Sequence, residues 1–249
     1  MGTVTNLWRH PIKGVGCEPL TTSLMIHGQC MPMDRHWALA HSASKADFDN
    51  PQWARCLNFA RGARTYSLMA VTASLDETSG EITLNHPDQP SITLDPEQDE
   101  PALIQWVRAI SDPDRVMPER LYKADRGLTD SREQTVSILS NSSLSALGQS
   151  MGMDLDQRRF RGNIWLDGLA PWQEFDLVGQ VLRIGSAEFD IIDPIERCMA
   201  TTVNPDSGTS DAPTLATLER DHGHRNFGIF GVVRKTGTIT LGDTAQVIS

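Results

Sequence analysis

The opening stretch "TVTNLWRHPIKGVGCEPLTTSLMI" alternates apolar and polar positions in two short runs about a loop punctuated by Pro11, Gly14 and Gly16, which predicts two strands. Alternation resumes in "RHWALAH" and through "YSLMAVTASLDETSGEITLNHP", a predicted hairpin turning near "DETSGE". The period then changes. In "DEPALIQWVRAIS", Leu103, Val107 and Ile110, with Ile104 and Trp106 nearby, recur at helical spacing after an acidic start. A second short helix is predicted in "LSNSSLSALGQSMG", with Leu144, Leu147 and Met151 on one side and Ser or Asn available as its cap. Strand periodicity returns in "NIWLDG" and in "VLRIGSAEFDII", whose two runs are parted by Gly185-Ser186, a pair suited to a tight hairpin. The final stretch, "NFGIFGVVRKTGTITLGDTAQVI", repeats the pattern with Gly237 and Gly242 as punctuation.

Many short strands with turn signals and few helices predict a mainly β (α+β) fold built on a closed or partly closed barrel. The composition shifts over "SDPDRVMPERLYKADRGLTD". That shift divides the chain into a β-rich unit over residues 1–120 and a β-barrel unit over residues 121–249.

With 249 residues, 39% hydrophobic and 22% charged, the chain is long enough to bury a sizeable core and has the make-up of an ordinary soluble protein. A net charge of −10 argues against nucleic acid as a partner, because a phosphate backbone rewards a basic face. No apolar run approaches the roughly 20 residues that span a bilayer. The start, "MGTVTNLWRHPIKG", lacks the apolar core of a secretory leader, so a cytoplasmic location is expected.

Four cysteines, Cys17, Cys30, Cys56 and Cys198, lie far apart with no CxxC pair, which excludes a zinc knuckle or the usual iron–sulfur spacing. The ordinary reading of each is a small buried hydrophobe. Cys198 stands out by its setting, "PIERCMATTVNPDSG", between a strand-like run and a turn rich in Asn, Pro, Asp and Gly. Cations also cluster unexpectedly in so acidic a chain. In "RRFRGN" an extended backbone would send Arg159 and Arg161 to one face, suited to phosphate or carboxylate, with a solvated strand edge as the alternative. Lys13 in "HPIKG" sits in a loop whose N–H groups could also face an anion, or is an ordinary surface lysine. Arg35 in "MDRHW" has a local ion pair as its plain alternative. His222 and His224 suggest no third metal ligand, and no Walker loop, G-x-S-x-G elbow or H-E-x-x-H occurs.

Six segments in order resemble the MOSC family, in particular proteins similar to the mitochondrial amidoxime-reducing component and its bacterial relatives. They are "LWRHPIKG", "MDRHW", "VSILSNSSLSAL", "RFRGNIWLDG", "ERCMATTVNPDSG" and "FGIFGVV…GTITLGD". The resemblance implies a MOSC-type β-barrel behind an N-terminal MOSC-N domain, and a molybdenum cofactor (molybdopterin) whose metal Cys198 ligates. A soft thiolate suits a thiophilic redox metal, and the pterin dithiolene supplies further sulfur. No pyridoxal phosphate binding is expected.

By the same resemblance Lys13, Arg35 and Arg161 hold phosphate and pterin with Asn163 beside them. Gly14 and Phe230 line the site, Gln134 and Thr135 approach the pterin, and Glu196 and Arg197 surround the metal. Cys198 and Glu196 become the catalytic pair. Three positions depart from close relatives: Gly14 replaces a common serine, Glu196 a small polar residue, and Phe230 the tyrosine of the mitochondrial proteins. The implied activity is reduction of amidoximes, hydroxylamines or N-hydroxylated bases. The alternatives are a sulfur carrier with a Cys198 persulfide, or a cofactor-binding protein without turnover. No G-x-G-x-x-G follows a strand, so electrons are expected from a separate donor, a ferredoxin- or cytochrome-type protein with its reductase.

Overall fold

The computed structural model describes residues 1–248. The N-terminal part contributes β1 (Gly2–Arg9), β2 (Glu18–Leu20), β3 (Thr22–Met25), β4 (Trp37–His41), β5 (Thr72–Leu75), β6 (Ile82–His86), β7 (Gln89–Leu94), α1 (Glu100–Ala109) and β8 (Pro118–Lys123). The remainder contributes β9 (Val136–Ser140), α2 (Asn141–Met151), β10 (Ile164–Asp167), β11 (Val181–Ile184), β12 (Ala187–Glu196), α3 (Thr214–His222), β13 (Asn226–Lys235), β14 (Gly237–Thr240) and β15 (Thr244–Ile248).

Seven strands close a barrel in the order β10-β9-β13-β12-β11-β15-β1, with β1 returning to β10 and β2 attached outside β1. Each neighbouring pair is antiparallel except β9 with β10. The barrel therefore draws its closing stave from the first residues of the chain. Its interior is filled by Val4, Leu7, Ile138, Ile164, Phe189 and Ile229, the inward positions of their strands. A second core, with Leu39, Leu68, Ile82, Leu103 and Val107, joins the β5-β6-β7 sheet and α1.

The hairpin at Gly185-Ser186 forms between β11 and β12, and Gly185 takes φ +56° as such a turn requires. Helix α2 begins on Ser140, whose side chain accepts from the Ser143 N–H, and ends on left-handed Gly152.

Three segments differ from the sequence expectations. Tyr66–Ala70 is a 3₁₀ helix, leaving only β5 and β6 for the predicted hairpin. Thr214–His222 is a helix that the pattern did not indicate; it buries Thr214, Thr217 and Leu218, too few apolar residues to show a period. The "RRFRGN" segment is not extended. Gln157–Phe160 form a 3₁₀ helix, so Arg159 and Arg161 share no strand face.

Candidate functional site

A cavity of about 450 Å³ opens where the barrel meets the N-terminal part. Lys13, Gly14, Arg35, Thr135, Arg161, Asn163, Glu196, Arg197, Cys198 and Phe230 all line it, so one cavity gathers nearly every residue singled out from the sequence. Gln134 is turned away, its Oε1 accepting from Cys30 Sγ at 3.7 Å. Arg61, Cys56, Asp130 and Arg159 also line the wall.

The loop after β1 carries Lys13. Its N–H donates to the Trp37 carbonyl (2.7 Å), and its buried ammonium donates to the Leu128 carbonyl (2.7 Å) and Asp130 Oδ1 (2.6 Å). At Gly14, φ is +76° and a Cβ would lie 2.6 Å from the Ala60 carbonyl oxygen, so a side chain there is excluded by conformation and by space.

Arg35 and Arg161 share an uncommon backbone, with φ of +52° and +48°. Phe160 stacks on Phe227 at 4.2 Å between centroids and anchors the 3₁₀ helix, while Gly162 lies against Leu139. The chain must turn left-handed at Arg161 between these two fixed points. Arg35 is half-buried against Asp34 and donates to the Arg161 carbonyl at 3.0 Å. Behind it, His10 meets Asp34 at 3.2 Å; burial and the two arginines hold the imidazole down to about 3.

Cys198 follows β12, which is bulged at Ile191–Asp193 and Pro194–Glu196. Bulges bend a strand end and re-aim the residues beyond it. The Cys198 carbonyl is fixed by the Thr201 N–H and hydroxyl, both at 3.1 Å. The thiol is exposed to the cavity, and desolvation by its surroundings pushes its pKa up, the Ala200 N–H opposing in part. The turn after Cys198 folds over at Gly208, where a Cβ would come within 2.7 Å of Ser67 Cα.

Cations outnumber acids along the wall: Lys13, Arg35, Arg61, Arg159, Arg161 and Arg197 face Asp130 and Glu196. Desolvation pushes Arg161 down to about 10, with Arg35 adding repulsion, and pushes Arg197 down to about 9. Both stay charged at neutral pH. Asp130, surrounded by Lys13, Arg35 and Arg161, is held down to about 2 in spite of desolvation.

Among the described residues, several buried donors have no partner: Arg159 Nε, Arg197 Nη2 and the Thr135 hydroxyl. Such groups normally cost stability unless something accepts from them. Asn163, by contrast, is spent on structure. Its Oδ1 accepts from the Ser137 N–H and hydroxyl, and its amide donates to the Trp8 carbonyl.

Residues 1–112 match the MOSC N-terminal beta barrel domain, and residues 125–246 match the MOSC domain. The chain belongs to the MOSC family. This MOSC protein is 34% identical over 120 residues to mitochondrial amidoxime reducing component 2 of Bos taurus, covering 43% of the chain and 35% of that protein. It is 34% identical over 94 residues to the molybdenum cofactor sulfurase of Drosophila grimshawi, covering 37% of the chain and 12% of that protein. The match to molybdenum cofactor sulfurase 2 of Culex quinquefasciatus is 38% over 73 residues, 29% of the chain and 9% of that protein. The chain thus spans a minor part of each. The crystal structure of the Bacillus subtilis YuaD protein superposes with a TM-score of 0.50 at 14% identity, covering 99% of this chain and 94% of that one, a likeness of fold. No helix among the described residues is long and apolar enough to cross a membrane.

Proposed function

We propose that this MOSC protein binds a molybdenum–molybdopterin cofactor through Cys198 and reduces N-hydroxylated substrates. The observation that carries the reading is a cavity that exposes the Cys198 thiol, with Cys56 partly exposed beside it, amid buried cationic donors with unused hydrogen-bonding capacity. The residues present fit the group. An anionic phosphate would relieve the mutual repulsion of Arg35 and Arg161, and a pterin offers acceptors for the Thr135 hydroxyl and Arg197 Nη2. When bound, the cofactor supplies a thiophilic metal centre that exchanges two electrons.

In this reading Lys13, Arg35 and Arg161 hold the phosphate and pterin, and Arg197, laid across the Phe227 and Phe160 carbonyls, stays beside the metal ligand. Cys198 must release its proton on ligation, because only the thiolate is a metal ligand. Glu196 stands on the wall two residues before it and passes protons between water and substrate. In the net reaction the substrate accepts two electrons and two protons and releases water with the amine or amidine. The electrons come from a separate redox protein, of ferredoxin or cytochrome type, docking through a small transient contact.

The test is to purify the loaded protein, measure molybdenum and extractable pterin, and assay benzamidoxime reduction with reduced viologen. The expectation is metal near one per chain, turnover with viologen, no turnover with NADH alone, and loss of metal in Cys198→Ser. Unchanged metal and activity in Cys198→Ser refutes the assignment, as does NADH consumption coupled to product by the pure protein. The names of the insect relatives favour a second reading, in which Cys198 carries a persulfide. A cyanide-labile sulfur on Cys198, without molybdenum, would select it.

A further inference from the structure

The cations of the cavity differ in how their heads are held. Lys13, Arg35 and Arg159 each pair with a carboxylate, while Arg161 and Arg197 lie across backbone carbonyls. Arg61 has neither. Among the described residues its guanidinium meets one side chain, donating to Cys56 Sγ at 3.2 Å, and a thiol sulfur is a weak acceptor.

Its backbone, in contrast, is fixed. The Arg61 carbonyl accepts from the N–H groups of Arg64 and Thr65, both at 3.0 Å. Its Cα lies 2.7 Å from where a Gly14 Cβ would be, and a Gly62 Cβ would sit 3.9 Å from that of Ala200. Arg61 is therefore mounted between the Lys13 loop and the segment just after Cys198. Leu57 and Met199, chain neighbours of the two cavity cysteines, are 61% and 43% exposed, large apolar side chains left open to solvent next in sequence to cavity residues.

We propose that Arg61 is a specificity-determining residue that clamps an anionic group of the substrate, so that the site favours N-hydroxylated molecules bearing a carboxylate on an apolar body. The inference rests on the reductase reading. A planar guanidinium with most of its donors unspent binds carboxylate bidentately, and a rigid mount reduces the ordering cost of doing so.

The test is calorimetric titration of the cofactor-loaded protein with benzamidoxime and with 4-carboxybenzamidoxime, in native protein, Arg61→Ala, Arg61→Gln and Arg61→Lys. The native protein should bind the carboxylate at least tenfold more tightly than the neutral compound. That ratio should fall to about one in Arg61→Ala and Arg61→Gln and recover in part in Arg61→Lys, with pterin content equal in all four. No preference in the native protein, or a ratio unchanged by Arg61→Gln, overturns the inference. So does loss of pterin on removing the guanidinium, which would assign Arg61 to the cofactor. Because binding is read without turnover, a protein that reduces neither compound yet keeps the ratio refutes the reductase reading and leaves the clamp standing.

Discussion

Arg161 carries two separable costs, and two substitutions divide them. The side chain donates to the Gly16 carbonyl at 2.9 Å and weakly to that of Ile12, while its backbone is held at φ +48°. Arg161→Ala removes the guanidinium and keeps a strained Cβ; Arg161→Gly removes both. Losing a charge-assisted contact to the cofactor costs about 1.5–3 kcal/mol, or roughly tenfold to a hundredfold in affinity. Both variants should therefore retain far less pterin.

Their stabilities should differ in a defined direction. A left-handed conformation costs an L-residue about 1–2 kcal/mol, offset by the extra freedom of unfolded glycine, about 0.4–1 kcal/mol. The glycine variant should be the more stable by about 1 kcal/mol, or about 2–4 °C in melting temperature for a chain of this length. Arg158→Ala is the control. Arg158 pairs with Asp156 and Asp206 outside the cavity, and surface ion pairs contribute about 0–1 kcal/mol. The assay is pterin fluorescence after release, with thermal unfolding of the cofactor-free proteins alongside. Equal pterin occupancy in Arg158→Ala and Arg161→Ala would refute the assignment of Arg161 to the cofactor. An alanine variant as stable as the glycine one would refute the backbone argument.

Gly14→Ser should destabilise this protein by about 1–3 kcal/mol in urea titration, because the added Cβ meets the Ala60 carbonyl at positive φ. Alkylation of Cys198 by iodoacetamide in cofactor-free protein should be slow at pH 7.5 and rise with a midpoint above the ordinary thiol range, since desolvation disfavours the thiolate; a midpoint below that range in a mass-spectrometric time course contradicts the site electrostatics. His10 is buried neutral with its pKa held down to about 3, so the unfolded chain binds a proton first, and stability should fall as pH drops from about 6.5 towards 3. In His10→Gln that slope should shrink by close to one proton, about 1.4 kcal/mol per pH unit, and an unchanged slope in unfolding free energy would assign the acid sensitivity elsewhere.

The barrel was legible because its information is local. Inward Phe189 and Ile191 on β12 alternate with half-buried positions, and Gly185 marks the turn that reverses the chain. Helix α1 was legible because Leu103, Val107 and their neighbours keep one face. Helix α3 was not, because it buries two threonines and a single leucine against the barrel, which leaves its hydropathy close to that of a loop. "YSLMA" was misread for the opposite reason. Leu68, Met69 and Ala70 are buried in succession, and an apolar run that short fits strand or 3₁₀ helix equally.

The cavity residues follow the same division. Lys13 and Cys198 are set by local features, a Pro/Gly loop and a bulged strand end. Arg35 and Arg161 depend on left-handed turns at residues with ordinary side chains, and nothing in an arginine's identity signals such a backbone. Arg161 turns because Phe160 is anchored on Phe227 while Gly162 is pressed on Leu139, contacts from β13 and β9 that are distant in the chain. Arg61 depends on a longer chain of contacts still, since it is placed by Gly14 having no side chain opposite it. Strained arginines of this kind persist only where the surrounding packing over-determines them. The strain at Arg35 and Arg161 brings two like charges together before any ligand arrives, and the connecting bond from Arg35 to the Arg161 carbonyl locks the pair. In the proposed reading an anion between them would offset that repulsion, so strained backbone and like charge coincide at these two arginines for one purpose.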